Sequence, residues 1–111
     1  MKYELDILAE HAVKSSKWSW RSGMMTIDGR RIAQGEIIDA DELPELADPA
    51  TIGALMGLLR HLYNDRGMWA EPDGDDITRW AVYRCTSKGD KRVGYGNSEA
   101  AALVAALEAA S

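Results

Sequence analysis

The sequence predicts an α+β fold, in which an antiparallel sheet made from two hairpins packs with three helices. Three stretches of the chain have apolar residues at helical spacing, and two stretches between them alternate apolar and polar residues as strands do. Turn residues divide each of these two stretches into a hairpin. The predicted order is α-β-β-α-β-β-α, with room for one extra edge strand at Met68–Ala70. At 111 residues, the chain is expected to form a single α+β domain over residues 1–111.

The three helical stretches differ in how clearly their ends are marked. The first is predicted to end at Ser15, and its apolar face consists of Leu5, Leu8, Ala9 and Ala12. The central stretch is the clearest, because Asp48 can cap the first turn, Pro49 suits the first helical position and Asn64 can close the end. The last stretch is rich in alanine, which favours close packing. Its larger apolar residues are Leu103, Val104 and Leu107.

Both hairpins are predicted from their turns. Asp28-Gly29 is typical of a two-residue type I′ turn, which would place Met25 opposite Ile32. Upstream of it, Trp18 and Trp20 alternate with polar residues as on a strand. In the second hairpin, Lys88-Gly89-Asp90 supplies the turn. One face of its first strand carries Trp80, Val82 and Arg84, and the other carries Ala81, Tyr83 and Cys85.

Acidic residues are concentrated in two segments of a chain whose formal net charge is −5. The first segment, predicted to be a surface loop, contains Glu36, Asp39, Asp41, Glu42, Glu45 and Asp48. The second contains Glu71, Asp73, Asp75 and Asp76. An acidic surface repels phosphate, so we expect no direct binding of nucleic acid and instead a protein partner with a basic surface. The alternative is that both segments are ordinary surface loops whose acidic side chains are simply solvated.

The composition also bears on the compartment. We find no apolar run approaching the about 18 residues that would span a bilayer, and the first residues mix acids with apolar positions, unlike a secretory leader. The single cysteine, Cys85, has no partner for an internal disulfide, which agrees with a reducing compartment. We therefore expect a cytoplasmic protein with no membrane contact.

Gly94-Tyr95-Gly96, placed between a predicted strand and the last helix, raises the question of a phosphate-binding loop. A dinucleotide fingerprint needs a third glycine, and Glu99 occupies that position with a charge that would repel pyrophosphate. We instead expect the two glycines to allow a close approach at a strand end, with Asn97 or Ser98 as the helix cap.

The sequence offers little that could carry catalysis or hold a metal. His11 and His61 lie on different predicted helices, and the acidic turn at 73–76 lacks the glycine that a calcium loop requires. Cys85 is the only thiol, and free cysteine is most often a small core residue. We therefore expect no cofactor, no metal and no catalytic residue, and we do not expect an enzyme.

Aromatic and basic residues suggest two further interpretations. Trp69 stands beside Met68 in the loop before the second acidic segment, and this composition is common at protein contacts. The alternative is that the pair covers the core from an edge strand. The basic residues fall mainly in the two hairpins, where tryptophans could stack single-stranded nucleic acid. We prefer the interpretation that these basic residues keep the exposed faces of the strands soluble.

Several stretches carry a resemblance to a group of proteins. "DPATIGALMGLLRHLY", "RWAVY" and the final "SEAAALVAALEAA" resemble small uncharacterised proteins of tailed phages and prophages. The likeness covers about the second half of the chain plus "WSWRSGMMTIDGRRI", and it extends more loosely to phage α-β-α sandwich domains. These motifs are structural, so the resemblance implies an origin and a fold and transfers no catalytic residue.

A phage-like origin, joined to an acidic chain without a catalytic motif, implies an accessory protein that acts by binding in the cytoplasm of a bacterial host. The expected function is inhibition of a host defence complex, as anti-CRISPR proteins do, with the acidic loops facing a basic surface that normally holds nucleic acid. Partner-binding residues are then expected in both acidic segments and at Trp69. One alternative is a self-assembling phage structural or replication-linked protein, with Gly53, Gly57 and the alanine-rich helix in a homodimer. Another is a small thiol or carboxylate enzyme.

Overall fold

The computed structural model describes residues 2–73 and 76–110, and the side chains of residues 2, 3, 76 and 77 lie outside that description. Along the chain it contains α1 (Lys2–Lys14), α2 (Pro49–Leu62), β1 (Trp69–Asp73), β2 (Asp76–Thr86), β3 (Gly89–Gly96) and α3 (Glu99–Ala110). The strands form an antiparallel sheet in the order β1-β2-β3, and α3 packs across one face of it. Helices α1 and α2 pack against α3. The α+β class predicted from the sequence is confirmed.

The sheet comes from the second predicted hairpin and the predicted edge strand. β2 and β3 pair as expected, and β1 joins the outer edge of β2 over a longer range than Met68–Ala70. The predicted alternation along β2 is confirmed, because Val82 is fully buried under α3 while Cys85 on the other face is exposed. Opposite Tyr83 the register shifts, so Val93 forms a β-bulge and packs against the core.

The first predicted hairpin is wrong in its register and contributes no strand to the described sheet. Of the two central turn residues, Asp28 and Gly29, only Gly29 has a positive φ, +92°, whereas a type I′ turn needs a positive φ at both. Thr26 instead accepts from Gly29 N–H and donates its own N–H to Arg30, which makes a three-residue connection. Pairing therefore slips by one, and Met25 faces Arg31 in an isolated bridge. Since a one-residue slip exchanges the two faces, the segment buries Met24, Thr26 and Ile32.

Trp18 and Trp20 do not lie on a strand, contrary to the prediction. A turn closes just before them through Trp18 N–H and Ser15, and another just after them through Met24 N–H and Arg21, which leaves no length for a ladder. The two indole rings meet edge to face at 5.4 Å between centroids, and both pack against the core while half-buried. They cover the core from a loop.

Helix α2 begins as predicted. The Asp48 carboxylate accepts from Thr51 N–H at 2.9 Å, and Pro49 occupies the first helical position. After α2, Asn64 takes the left-handed conformation at φ 52°, which agrees with its predicted role at the helix end. Thr51 is fully buried, and its hydroxyl accepts from Met25 N–H at 2.8 Å. This bond joins α2 to the loop that replaces the first hairpin.

Helix α3 lies at the centre of the molecule. Its alanines allow the close packing expected from the sequence, because the sheet covers one side and α1 and α2 cover others. The buried residues of α3 are Ala100, Ala102, Leu103, Val104, Ala106 and Leu107. The hydroxyl of Tyr63 donates to Ala106 O at 2.8 Å and joins the end of α2 to α3.

Candidate protein-binding surface

Three adjoining hollows open where the first turns of α1, α2 and α3 come together, and Leu5 lines all three. One lies between α1 and the start of α3 and has a volume of about 370 Å³. The second, about 510 Å³, lies between the starts of α2 and α3. The third, about 370 Å³, lies between α1 and the loop around Met25 and Glu45. We refer to the three together as the Leu5 groove.

The floor of the Leu5 groove is apolar. Ile7 is 54% exposed and Ile27 is 40% exposed, and both belong to its lining. The other large apolar side chains that line it are Leu5, Leu8, Leu46 and Ile52. Apolar side chains that stay in water favour a contact site, because covering them releases about 25 cal/mol per Å².

The rim of the Leu5 groove carries four carboxylates. They belong to Glu4, Asp6, Glu45 and Glu99. Within the described part of the chain, no lysine, arginine or histidine lines the groove, and none of the four carboxylates takes part in an ion pair. An apolar floor with an unneutralised acidic rim complements a partner that presents apolar side chains beside lysine or arginine.

The acidic segment at 36–48 is different, because two arginines pair with much of it. The guanidinium of Arg30 contacts both Glu36 and Glu42, with 2.6 Å between Nη2 and Oε2 of Glu42. Arg31 reaches Asp48 at 2.6 Å. The hydrogen bond from Arg31, followed by those from Thr51, lowers the pKa of Asp48 to about 2 from 3.8. Half of the acids in this segment therefore stabilise the loop rather than stand unpaired.

The remaining residues of this segment lie apart from one another. Asp39 and Asp41 are exposed, and Glu45 is half-buried at the rim of the Leu5 groove. Beside them Ile37 is 91% exposed, the most exposed of the described large apolar side chains. Only Glu45 of the predicted set therefore belongs to the groove.

The second predicted set lies on the sheet. Trp69, Glu71 and Asp73 alternate along β1 and share the face of the sheet opposite α3. The ring of Trp69 stacks on Tyr83 at 5.5 Å between centroids, Glu71 is exposed, and Asp73 lies 3.6 Å from Arg92. Asp75 lies outside the described residues. Asp76 begins β2, and its side chain is likewise outside the description.

Sequence reasoning missed most of the groove. Glu4 and Glu99 look like ordinary first-turn acids that complement a helix dipole, and nothing in the sequence shows that three helix starts meet. One indication was available. Ile7 falls outside the predicted apolar face of the first helix, so the sequence already indicates one large apolar side chain on a face of this helix that does not pack into the core.

The glycines before α3 have a structural role. A Cβ built on Gly94 would lie 2.3 Å from the carbonyl oxygen of Ala102, and one built on Gly96 would lie 2.6 Å from Ala101 Cβ. Ser98 caps the helix by accepting from Ala101 N–H at 3.1 Å. The interpretation of a close approach with a Ser98 cap is confirmed, and both glycines face α3.

The described residues contain no group of three histidine, cysteine, aspartate or glutamate side chains that could hold a metal ion. Cys85 is exposed rather than in the core. The alanine-rich helix proposed for a homodimer is α3, whose packing face is already covered within one copy.

In the described residues, no helix is both long and apolar enough to cross a membrane. Comparison with models of known families, with curated proteins and with solved structures finds no match. The resemblance to phage proteins therefore stays an expectation from the sequence.

Proposed function

We propose that this chain is a binding protein without catalytic activity, which docks a partner through the Leu5 groove. The observation that carries the proposal is the combination of an apolar floor with four carboxylates that have no ion-pair partner among the described residues. The favoured partner presents a segment with apolar side chains and lysine or arginine beside them. Apolar contacts supply affinity, while the charges speed association and select the partner.

The proposal keeps the class of partner expected from the sequence, a protein with a basic surface, but assigns the contact to the Leu5 groove instead of the acidic segment at 36–48. The acidic segment at 36–48 was expected to face the partner, but Arg30 and Arg31 already pair with Glu36, Glu42 and Asp48. Neutralised pairs add little steering, since a nearby opposite charge cancels most of the field at a distance. Glu45 joins this segment to the groove and is its contribution to the contact.

Charge reversal at matched positions tests the proposal. We would immobilise the native protein and three variants, Glu4→Lys, Glu10→Lys and Asp41→Lys, and capture proteins from a bacterial lysate at low salt. All three side chains are exposed, so circular dichroism should show the same fold. Glu4 lines the groove, Glu10 lies on the same helix away from its lining, and Asp41 lies in the acidic loop.

We expect a basic protein retained by the native chain, Glu10→Lys and Asp41→Lys to be lost with Glu4→Lys. Raising the salt concentration should weaken the retained complex, because exposed charges are screened. Loss with Asp41→Lys alone would move the contact to the acidic loop, and equal retention by all variants would refute the groove.

The resemblance to phage proteins makes the proposal more specific. In that form, the partner is a host defence complex whose basic surface normally holds nucleic acid. Adding excess single-stranded or duplex nucleic acid to the captured complex should then release the partner, since both compete for one surface. Retention in the presence of nucleic acid would contradict this form and leave the groove proposal standing.

A further inference from the structure

Helix α1 carries a row of exposed side chains along its length. Its packing side is marked by Ala9 and Ala12, which are fully buried in the core. The exposed row consists of Glu4, Ile7, His11 and Lys14. Spacings of three, four and three residues place these side chains on one stripe of the helix, as in the seam of a coiled coil. We refer to the four residues as the α1 seam.

The two ends of the α1 seam carry opposite charges that have no partner within one copy. In the described part of the chain, no ion pair or hydrogen bond joins the side chain of Glu4 or Lys14 to another group. Both charges complement the helix dipole, but the dipole does not account for Ile7, which is 54% exposed between them. His11 contacts Glu108 of α3, with 3.7 Å between Nδ1 and Oε2.

We infer that the α1 seam pairs with the α1 seam of a second copy, with the two helices antiparallel. The spacing of the row is the same when it is read from either end. A two-fold axis that crosses α1 near Ala9 therefore places the row of one copy against the reversed row of the other. Under this rotation, Glu4 of each copy faces Lys14 of the other. Ile7 of each copy faces the His11 ring of the other and leaves water.

A hollow between α1 and α3 adjoins each end of the α1 seam. At the start of the helices, the hollow of about 370 Å³ is lined by Glu4 and Ile7 and receives Lys14 of the second copy. At the other end, a hollow of about 250 Å³ is lined by His11, Lys14 and Glu108 together with two serines. It receives Glu4 of the second copy beside Lys14. Each charged end thus has room for the opposite charge.

The opposite charges at the two ends select a second copy over other occupants. A basic segment laid along the whole seam would meet Lys14, whereas an acidic segment or a nucleic acid would meet Glu4. Only a segment with both charges, in reversed order, matches both ends. Asp6 and Glu10 lie outside the stripe on α1. The helix has 13 residues, so the contact is small and the association depends on concentration.

The dimer also regulates the Leu5 groove, a step that rests on the proposed function. Glu4 and Ile7 belong to both the α1 seam and the groove. A second copy on the seam therefore covers one wall of the groove. Self-association and partner binding exclude each other, and the dimer is a closed form of the binding protein.

Charge reversals test the pairing. Glu4→Lys sets two lysines against each other at both ends of the dimer, and Lys14→Glu does the same with two glutamates. Each variant alone should therefore associate at least about tenfold more weakly than the native protein. A mixture of the two restores both ion pairs, and so does the double variant Glu4→Lys/Lys14→Glu. Asp41→Lys and Lys88→Glu are the matched controls, because both residues are exposed and lie outside α1.

Analytical ultracentrifugation at low salt, from about 1 μM to about 1 mM, measures the association, and circular dichroism checks the fold. We expect dimers of the native protein and of both controls, loss of dimer in each single seam variant, and recovery in the mixture and the double variant. Native protein that stays monomeric throughout, or a mixture that does not recover, would overturn the pairing. The groove proposal would still stand, because the Leu5 groove is complete within one copy.

Capture from the lysate tests the exclusion separately. Immobilised Lys14→Glu should retain the basic partner, because Lys14 lies outside the lining of the groove. Free Glu4→Lys chain at about 1 mM should then release that partner, since it pairs with Lys14→Glu at both ends. It should release much less from the immobilised native protein, where two lysines meet at one end. Partner that stays bound to Lys14→Glu would overturn the exclusion. Failure of every immobilised chain to retain a protein would refute the groove, while ultracentrifugation still decides the dimer.

Discussion

Replacing Gly94 with alanine tests how closely α3 approaches the sheet. The added methyl would lie 2.3 Å from Ala102 O and 2.8 Å from both Cβ and N of Ala106. Two of these three atoms belong to the helix backbone, so no side-chain rotation can relieve the overlap. Helix α3 would have to move away from β3 by roughly 1 Å, and a gap of that size forfeits a quarter to a half of each dispersion contact along the interface.

The expected cost of Gly94→Ala is about 3 kcal/mol, at the upper end for overpacking a core. For a domain of this size, that lowers the melting temperature by roughly 12 °C. Gly53→Ala is the matched control, because Gly53 lies within α2 and a Cβ there meets nothing within 4 Å. It should raise stability by about 0.5–1 kcal/mol, since alanine favours helix over glycine.

Urea and thermal unfolding, followed by circular dichroism, measure both variants. The most informative result is that the two changes in stability have opposite signs, because glycine is replaced by alanine in both variants. Gly94→Ala as stable as the native protein, with an unchanged denaturant slope, would refute the close approach of α3.

Three further outcomes are expected. The pKa of Asp48 is held at about 2 against 3.8, so its ion pair with Arg31 stabilises the fold above about pH 4 and is lost as pH falls through about 2. The stability difference between native protein and Asp48→Asn in urea should shrink across that window, and a constant difference would contradict the assignment. Thr51→Val should cost about 1–3 kcal/mol in the same assay, because Met25 N–H loses its acceptor, the hydroxyl of the fully buried Thr51, whereas an unchanged midpoint would argue against this bond. Arg30→Gln should leave global stability almost unchanged, because exposed ion pairs contribute little, yet it should speed cleavage at 33–43 by a glutamate-specific protease. Equal cleavage rates would show that the arginine does not hold the loop.

Local chemistry made α2 and the β2–β3 hairpin predictable. The cap at Asp48, the proline at position 49 and the left-handed Asn64 each act within a few residues, so the sequence alone specifies them. Along β2, the alternation of residues was enough to predict that Val82 and Tyr83 lie on opposite faces of the sheet. These elements need no information from distant parts of the chain.

The first hairpin was predicted wrongly because two turn geometries compete for the same residues. Asp28-Gly29 is compatible with a two-residue and a three-residue connection, and the side chain of Thr26 bonds to Asp28 in the latter. That choice shifted the register by one and moved Met24 into the core in place of Met25. The groove was unpredictable for another reason, since it depends on three helix starts meeting in space.

The central position of α3 has a consequence for synthesis. α3 follows every other described element in the chain, so the ribosome delivers the middle of the core after the parts that surround it. Until then, the apolar faces of α1, α2 and the sheet have nothing to cover them. We therefore expect the nascent chain to reach its native state only after α3 has left the exit tunnel.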